Sequence, residues 1–341
     1  MSSFNAWKYY LVFAMILLLS SGFILSHLYH QHFIRSFAYF SIIRNWSNPI
    51  QFEKELAEKR FPDALIIGVK KGGTGALLEF LGMHPDVVAP MSEVHFFNKF
   101  HHLGINFYLS KFPAVKPGKI LLEKTPAYFH DKKAAKLIME TLGPTIKLIV
   151  VFRNPVDRMI SDFTHDKIGG ILVRSFHDLA FTNCTSLEVD PSFDPLVRSK
   201  YINHINRFIK AGFTLENFIF VDGDLLSKNP ATELARVEQF LGIRSMFSES
   251  MFYYDDAKGF PCVNLHNPFS DGTIKEGGLG SKNHPRRCLD KTKGRSEAFK
   301  PRLTQQQRES FVRYFAPWNR QFFKLLGHTI PSWQCAAPNR C

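Results

Sequence analysis

Ala64-Leu65-Ile66-Ile67-Gly68-Val69-Lys70-Lys71-Gly72-Gly73-Thr74-Gly75 is the stretch from which the fold is read. A short apolar run ends in lysines and glycines, and Ala76-Leu77-Leu78-Glu79-Phe80-Leu81 beyond it has helical character. The order is strand, glycine-rich loop, helix. Glycines let backbone N–H groups close around phosphate oxygens, while the following helix presents its positive N-terminal end. Downstream, Lys119 to Leu122 gives a second strand, and Ile146 to Phe152 a third that is continuously apolar and so buried on both faces. Asn154 and Pro155 supply an N-cap and a first-turn proline for the next helix. Phe218 to Val221 is a fourth strand, followed by a helix that Asn229-Pro230 opens and Gly242 closes. Strands alternating with helices predict an α/β domain with a parallel sheet, beginning near Phe61, and the stretch from Asn264 to His284 reads as an irregular loop.

The chain has 341 residues, 45% of them hydrophobic, which excludes disorder and allows one sizeable core. Its 43 Lys and Arg against 30 Asp and Glu give a formal charge of +13, a field that concentrates polyanions; nucleic acid, anionic lipid and sulfated polysaccharide all fit it. Residues 9–28 are almost all apolar or small, and about 20 such residues span a hydrocarbon core as a helix. The expected organisation is therefore a tail at 1–8, a retained transmembrane anchor at 9–28, a stem at 29–60 and a globular domain at 61–341. The charges flanking the anchor do not set its orientation. None of the five cysteines, at 184, 262, 288, 335 and 341, lies in a CxxC pair, so a compact zinc site is not expected. If the bulk of the chain is lumenal, Cys262 with Cys288 and Cys335 with Cys341 are candidate disulfides, leaving Cys184 over. Asn45-Trp46-Ser47 and Asn183-Cys184-Thr185 fit the N-glycosylation pattern.

The loop is not a nucleotide-triphosphate P-loop, which needs Lys immediately before its Ser or Thr; here Gly73 precedes Thr74 and the lysines come earlier. That disfavours a nucleotide kinase. With it, in order, stand Ser92-Glu93-Val94-His95-Phe96-Phe97, Glu123-Lys124-Thr125-Pro126-Ala127-Tyr128-Phe129, Arg153-Asn154-Pro155 with Ser161-Asp162, Val221-Asp222-Gly223-Asp224, Lys258-Gly259-Phe260 before Cys262, and Cys288 before Lys293-Gly294-Arg295. In this ordered set the chain resembles the heparan sulfate glucosamine 3-O-sulfotransferases from about Phe61 onward. The resemblance implies a P-loop-like sulfotransferase fold with a central parallel sheet. It implies 3′-phosphoadenylyl sulfate (PAPS) as sulfuryl donor, heparan sulfate as acceptor, no nucleic acid partner, and a type II Golgi membrane protein with a lumenal catalytic domain.

Residue by residue, the resemblance implies that Lys71, Gly72, Gly73, Thr74 and Gly75 hold the 5′-phosphosulfate, and that Arg153 and Ser161 bind the 3′-phosphate. Lys293, Gly294 and Arg295 form a second phosphate-gripping turn, and Phe260 covers the adenine. Glu93 matches the family's catalytic base, with His95 orienting acceptor or carboxylate from the same face if the segment is extended. Lys71 and Lys124 offset charge on the transferring group. No metal is required. Two positions depart from the family pattern: Gly75 stands where it has Arg, and Asn98 where it has an acid. Both changes put acceptor preference, more than donor use, in question. Sulfation elsewhere on a glycosaminoglycan and a non-catalytic heparan-binding membrane protein are the competing readings, the latter opposed by the joint presence of Glu93, Lys71 and Lys124.

Overall fold

The first strand, β1 (Ala64–Gly68), is buried at all five positions and lies at the centre of the sheet that organises the domain. In chain order it is followed by β2 (Val87–Val88), β3 (Ile120–Lys124) and β4 (Lys147–Phe152), then by the hairpin strands β5 (Phe181–Asn183) and β6 (Glu188–Val189). Then come β7 (Phe218–Asp222), β8 (Phe252–Asp255), β9 (Phe260–Asn264) and β10 (Arg286–Cys288). The computed structural model describes residues 57–90, 92–183, 187–255, 260–264, 286–288 and 299–333. Five strands form a parallel sheet in the order β2-β3-β1-β4-β7, as the sequence predicts for an α/β domain. Alternate side chains of a strand point to opposite faces. Leu65, Ile67, Leu148 and Val150 accordingly enter one apolar cluster, and Ala64, Ile66, Ile149 and Val151 the other.

Helices cover both faces. They are α1 (Thr74–Leu81), α2 (Gly104–Ser110), α3 (Ala134–Leu142), α4 (Pro155–Ile168), α5 (Phe176–Ala180), α6 (Asp194–Arg198), α7 (Tyr201–Lys210), α8 (Gly223–Leu226), α9 (Pro230–Leu241) and α10 (Gln305–Leu326). Local chemistry sets several ends. Asn154 Oδ1 accepts from Val156 N at 3.0 Å and Asp157 N at 3.4 Å, capping α4 above its first-turn proline. Gly242, with φ 76°, takes the left-handed conformation that ends α9. The long helix α10, continuous through Pro317, was not predicted from sequence. Nor were two antiparallel sheets, β8-β9-β10 and the β5-β6 pair. Cys262 is disulfide-bonded, and its register partner across β9 and β10 is Cys288. The expected tail, anchor and most of the stem, together with Cys184, Cys335 and Cys341, lie outside the described residues. Among the described residues no helix is long and apolar enough to cross a membrane.

Two histidines behind the sheet have a measurable consequence. His204 is buried on α7 and His130 half-buried after β3, and burial, reinforced by neighbouring positive charge, pulls each down to about 3 from 6.5. Below pH 6.5 the unfolded chain takes up protons that the folded chain does not, so stability is full above that pH and lost as it falls towards 3. Each histidine should contribute about 1.4 kcal/mol per pH unit in that window. Denaturant unfolding at pH 7 and pH 5 should show a clear loss of stability at the lower pH, and His204→Gln should flatten the slope. Equal stability at both values would refute the assignment.

Candidate functional site

The loop after β1 lies directly on the C-terminal ends of the neighbouring strands. A Cβ on Gly72 would sit 2.2 Å from Val151 O, and one on Gly223 would sit 2.1 Å from Gly72 O. No side chain fits at either position. Lys71 (φ 69°) and Gly73 (φ 115°) are both left-handed, which turns the chain sharply between strand and helix. Gly73 is the N-cap of α1 and has no side chain to offer, and there is no acid in the first turn. The first amides of α1 and the helix dipole are therefore presented together, with Thr74 buried among them. This is an anion cradle of backbone N–H groups with a lysine at its lip.

The two adjacent lysines part company. Lys70 Nζ turns onto α4, 2.8 Å from Asp162 Oδ1 and 2.6 Å from Asp166 Oδ1. Asp162 also receives Arg158 at 3.0 Å and Arg198 at 3.1 Å. Burial opposes its charge, but the three cations outweigh burial and hold its carboxyl well below the usual range. Lys71 stays with the cradle. Its ammonium is held below the ordinary lysine value, first by burial, with Lys70 and Arg153 adding repulsion and Asp162 pulling the other way. A bound anion would relieve that repulsion.

Arg153 follows the last residue of β4 and is more than a third exposed; its Nε lies 3.3 Å from Asp224 Oδ1. Burial raises the Asp224 carboxyl, against the pull of Arg153. Ser161 is half-buried on α4, two turns from Arg153. Beyond the cradle, His165 continues that helix one turn further, and burial lowers its imidazole with help from Lys71 and Lys70.

A second cluster forms at the end of β3, the strand beside β1. Lys124 Nζ is 2.7 Å from Glu93 Oε1, and His95 Nε2 is 3.3 Å from Glu93 Oε2. Glu93 is open to solvent, whereas Lys124 is nearly buried. The carboxylate and imidazole do meet, but not by strand alternation: His95 has φ 55°, so the segment turns where an extended run was predicted. Asn98 Oδ1 lies 3.3 Å from His95 Nδ1, so the amide at this position still reaches the ring. Thr125 N donates to Ile66 O at 3.1 Å, fixing this cluster beside the end of β1.

Phe260 is half-buried in β9, in the antiparallel sheet and not at the parallel sheet's edge. Phe252 of β8 packs edge-on against Phe80 of α1 at 5.5 Å, which ties that sheet to the cradle helix. Lys293, Gly294 and Arg295 lie outside the described residues. The sequence reading assigned no role to Glu123, Tyr108, Asp224 or Asp162; the first and last two stand inside quoted motifs, but only the fold shows what surrounds them.

A central parallel sheet carrying such a cradle is an anion-binding α/β domain, and residues 61–324 match the family model described as "Sulfotransferase domain", which makes it a sulfotransferase domain. A sulfotransferase from Alicyclobacillus acidocaldarius shares the fold, with a TM-score of 0.57 over 81% of this chain and 100% of that one, at 18% identity. Heparan sulfate glucosamine 3-O-sulfotransferase 6 of Homo sapiens is 40% identical over 271 residues, covering 79% of this chain and 73% of the relative. Heparan sulfate glucosamine 3-O-sulfotransferase 3B1 of Mus musculus is 39% identical over 269 residues, covering 79% and 64% respectively. The chain belongs to the heparan sulfate glucosamine 3-O-sulfotransferase family.

The cradle's packing gives a direct test. Gly223→Ala inserts a methyl group 2.1 Å from Gly72 O and should destabilise the domain by about 1–3 kcal/mol. Gly75→Ala, in the first turn of α1 with nothing within 4 Å of the added carbon, should keep stability or raise it slightly. Thermal unfolding of the two variants measures the contrast, and equal melting temperatures would contradict the close approach.

Proposed function

We propose that the chain transfers the sulfuryl group of PAPS to the 3-hydroxyl of a glucosamine residue in heparan sulfate. The observation that carries this reading is the meeting of Glu93 and His95 with Lys124 at the end of β3, immediately beside the strand that feeds the Lys71 to Thr74 cradle. The donor's 5′-phosphosulfate fits the cradle, because the left-handed Lys71 and Gly73 and the uncapped amides of α1 leave donors aimed at an anion. Arg153 and Ser161 are the groups for its 3′-phosphate. Arg153 then exchanges the Asp224 carboxylate for a phosphate, a stronger bidentate acceptor. The family resemblance also assigns Phe260 to the adenine, and Lys293, Gly294 and Arg295, outside the described residues, to the donor phosphates.

The acceptor hydroxyl gives its proton to Glu93 as its oxygen attacks sulfur. The bond from sulfur to the bridging phosphate oxygen breaks, and 3′-phosphoadenosine 5′-phosphate leaves. Lys71 and Lys124 offset the negative charge that develops on the bridging and sulfuryl oxygens. His95 holds the second oxygen of Glu93, leaving the carboxylate a single orientation. Gly75 leaves open space where the family pattern has an arginine, and Asn98 turns an amide to His95 where it has an acid; both change the acceptor rim and leave the donor cradle intact.

The same reading makes the chain a type II Golgi membrane protein, with residues 1–8 cytoplasmic, 9–28 spanning, 29–60 as stem and 61–341 lumenal. The apolar run at 9–28, the sequons and the disulfide at Cys262 support it, since such bonds persist in oxidising compartments. The partner is the polysaccharide and not nucleic acid.

Incubation of the domain with labelled PAPS and heparan sulfate, followed by disaccharide analysis, should yield 3-O-sulfated glucosamine; label only at other positions would move the chain to a different sulfation. Glu93→Gln keeps size and hydrogen bonding but removes basicity, so turnover should fall about a hundredfold or more with donor affinity unchanged. In calorimetry 3′-phosphoadenosine 5′-phosphate should bind far more tightly than ADP. Equal affinities would remove Arg153 and Ser161 from the donor site.

A further inference from the structure

Behind the turn that carries Glu93 lies a second carboxylate for which the proposed chemistry has no use. Glu123 is 1% exposed, and all its described hydrogen-bond partners are hydroxyls. Its Oε1 accepts from Thr125 Oγ1 at 3.0 Å and from the Tyr128 hydroxyl at 2.6 Å, and its Oε2 accepts from the Tyr108 hydroxyl. Burial pushes the Glu123 carboxyl up, against the pull of these donors.

Each of the first two hydroxyls also has a second task. Thr125 Oγ1 accepts from Val94 N at 3.1 Å and His95 N at 3.3 Å, and the Tyr128 oxygen accepts from Phe96 N at 2.9 Å. A hydroxyl has one proton to give and two lone pairs to receive with. Because both protons are spent on Glu123 Oε1, both oxygens face the turn as acceptors, and three consecutive amides following Glu93 are satisfied by one buried carboxylate acting through two relays. The turn they hold includes His95 at φ 55°, a conformation that a non-glycine residue keeps only when its surroundings fix it. Tyr108 is different: it donates to the same carboxylate through Oε2, and among the described residues no amide of the turn donates to its oxygen.

We infer that Glu123 is a positioning residue for the transfer reaction: through Thr125 and Tyr128 it locks the Glu93 to Phe96 turn, and so sets where the Glu93 carboxylate and the His95 ring stand relative to the acceptor. The inference rests on the reading of Glu93 as base. A proton on Glu123 would not undo it, since a proton on Oε2 leaves Oε1 accepting from both relays. For the same reason Glu123→Gln, with its amide nitrogen towards Tyr108, preserves the lock, whereas Glu123→Ala removes it.

The test compares relay variants with one that touches only the carboxylate. Thr125→Val should lower kcat about tenfold or more with the KM for PAPS within about twofold, because misplacing a catalytic group slows the step without weakening donor binding. Thr125→Ser and Glu123→Gln should retain kcat within about threefold, and the pH dependence of kcat should move in Thr125→Val but not in Thr125→Ser. Tyr108→Phe should lower the melting temperature yet leave kcat within about twofold. If Thr125→Val does not fold, Tyr128→Phe against Tyr108→Phe decides, with only the former expected to lose turnover. A purely structural role predicts that kcat follows melting temperature across all variants, and that outcome overturns the inference, as does a Thr125→Val enzyme of normal kcat. Glu93→Gln is measured beside them. Normal turnover there rejects the base assignment and the inference with it, while an inactive Glu93→Gln beside an active Thr125→Val rejects the positioning role alone.

Discussion

The contact on which the rest of the site depends is backbone against backbone, where the loop after β1 lies on the ends of β4 and β7. Gly72 rests against Val151 O, and Gly223 against Gly72 O, at separations that admit no Cβ. Because the loop sits this low, the N-terminus of α1 opens over the sheet's C-terminal edge and does not stand off from it. Arg153, after β4, and Asp224 of α8, after β7, then emerge within reach of each other at the same edge. Ligands of open α/β sheets bind outside the carboxyl ends of the strands, and here that rule follows from steric fit. Any side chain at Gly72 or Gly223 would lift the loop and dissolve the cradle before any charge was changed.

Charge then sorts residues that the sequence presents as equivalent. Lys70 and Lys71 are neighbours of the same chemistry, yet the left-handed turn at Lys71 sends Lys70 into the Asp162 and Asp166 pair and leaves Lys71 at the cradle. Asp162 is fully buried, and taking a carboxylate out of water is unfavourable by several kcal/mol unless it is well paired. Three cations pair it here, two from elements that follow α4 or belong to it and one from the loop. The network is therefore weak evidence for stability but good evidence for register: removing one partner would strand charge in the interior, so the loop, α4 and α6 are held in one arrangement.

What the sequence made legible was local. The strand and glycine loop from Ala64 to Gly75, the apolar β4, the Asn154 cap with its proline, and the Pro230 and Gly242 bounds of α9 all announce themselves within a few residues, and the fold has each of them. Elements made by distant partners were silent. The two-residue β2 exists because it pairs with β3, and β8 to β10 because they pair with one another; only the Cys262 and Cys288 pairing across β9 and β10 was legible as a candidate disulfide. The helix α10 does carry a sequence signal, a Thr304 and Gln307 capping box and Phe311, Phe315 and Phe322 on one face, but Pro317 inside it argues against a continuous helix. Within the site, the residue types were legible from the ordered motifs, while their geometry was not: period-two alternation predicts an extended Glu93 to His95, but three amides there are drawn to hydroxyls from another strand end.

That last difference follows from β3 itself. Glu123 and Lys124 are successive residues of a strand, so their side chains leave on opposite faces. One goes down among Tyr108 and Tyr128 in the apolar cluster, and the other reaches the solvent edge and the Glu93 carboxylate. Had the two been exchanged, a lysine would be buried against three hydroxyls with no counter-charge among them, and Glu93 would face a like charge. The pleat thus gives one strand two separate functions: it supplies a cation beside the exposed acid, and it roots the turn carrying that acid in a buried one. Hydroxyls suit the second task better than a direct ion pair, because they transmit orientation from the carboxylate to the amides without bringing a second charge into the apolar layer.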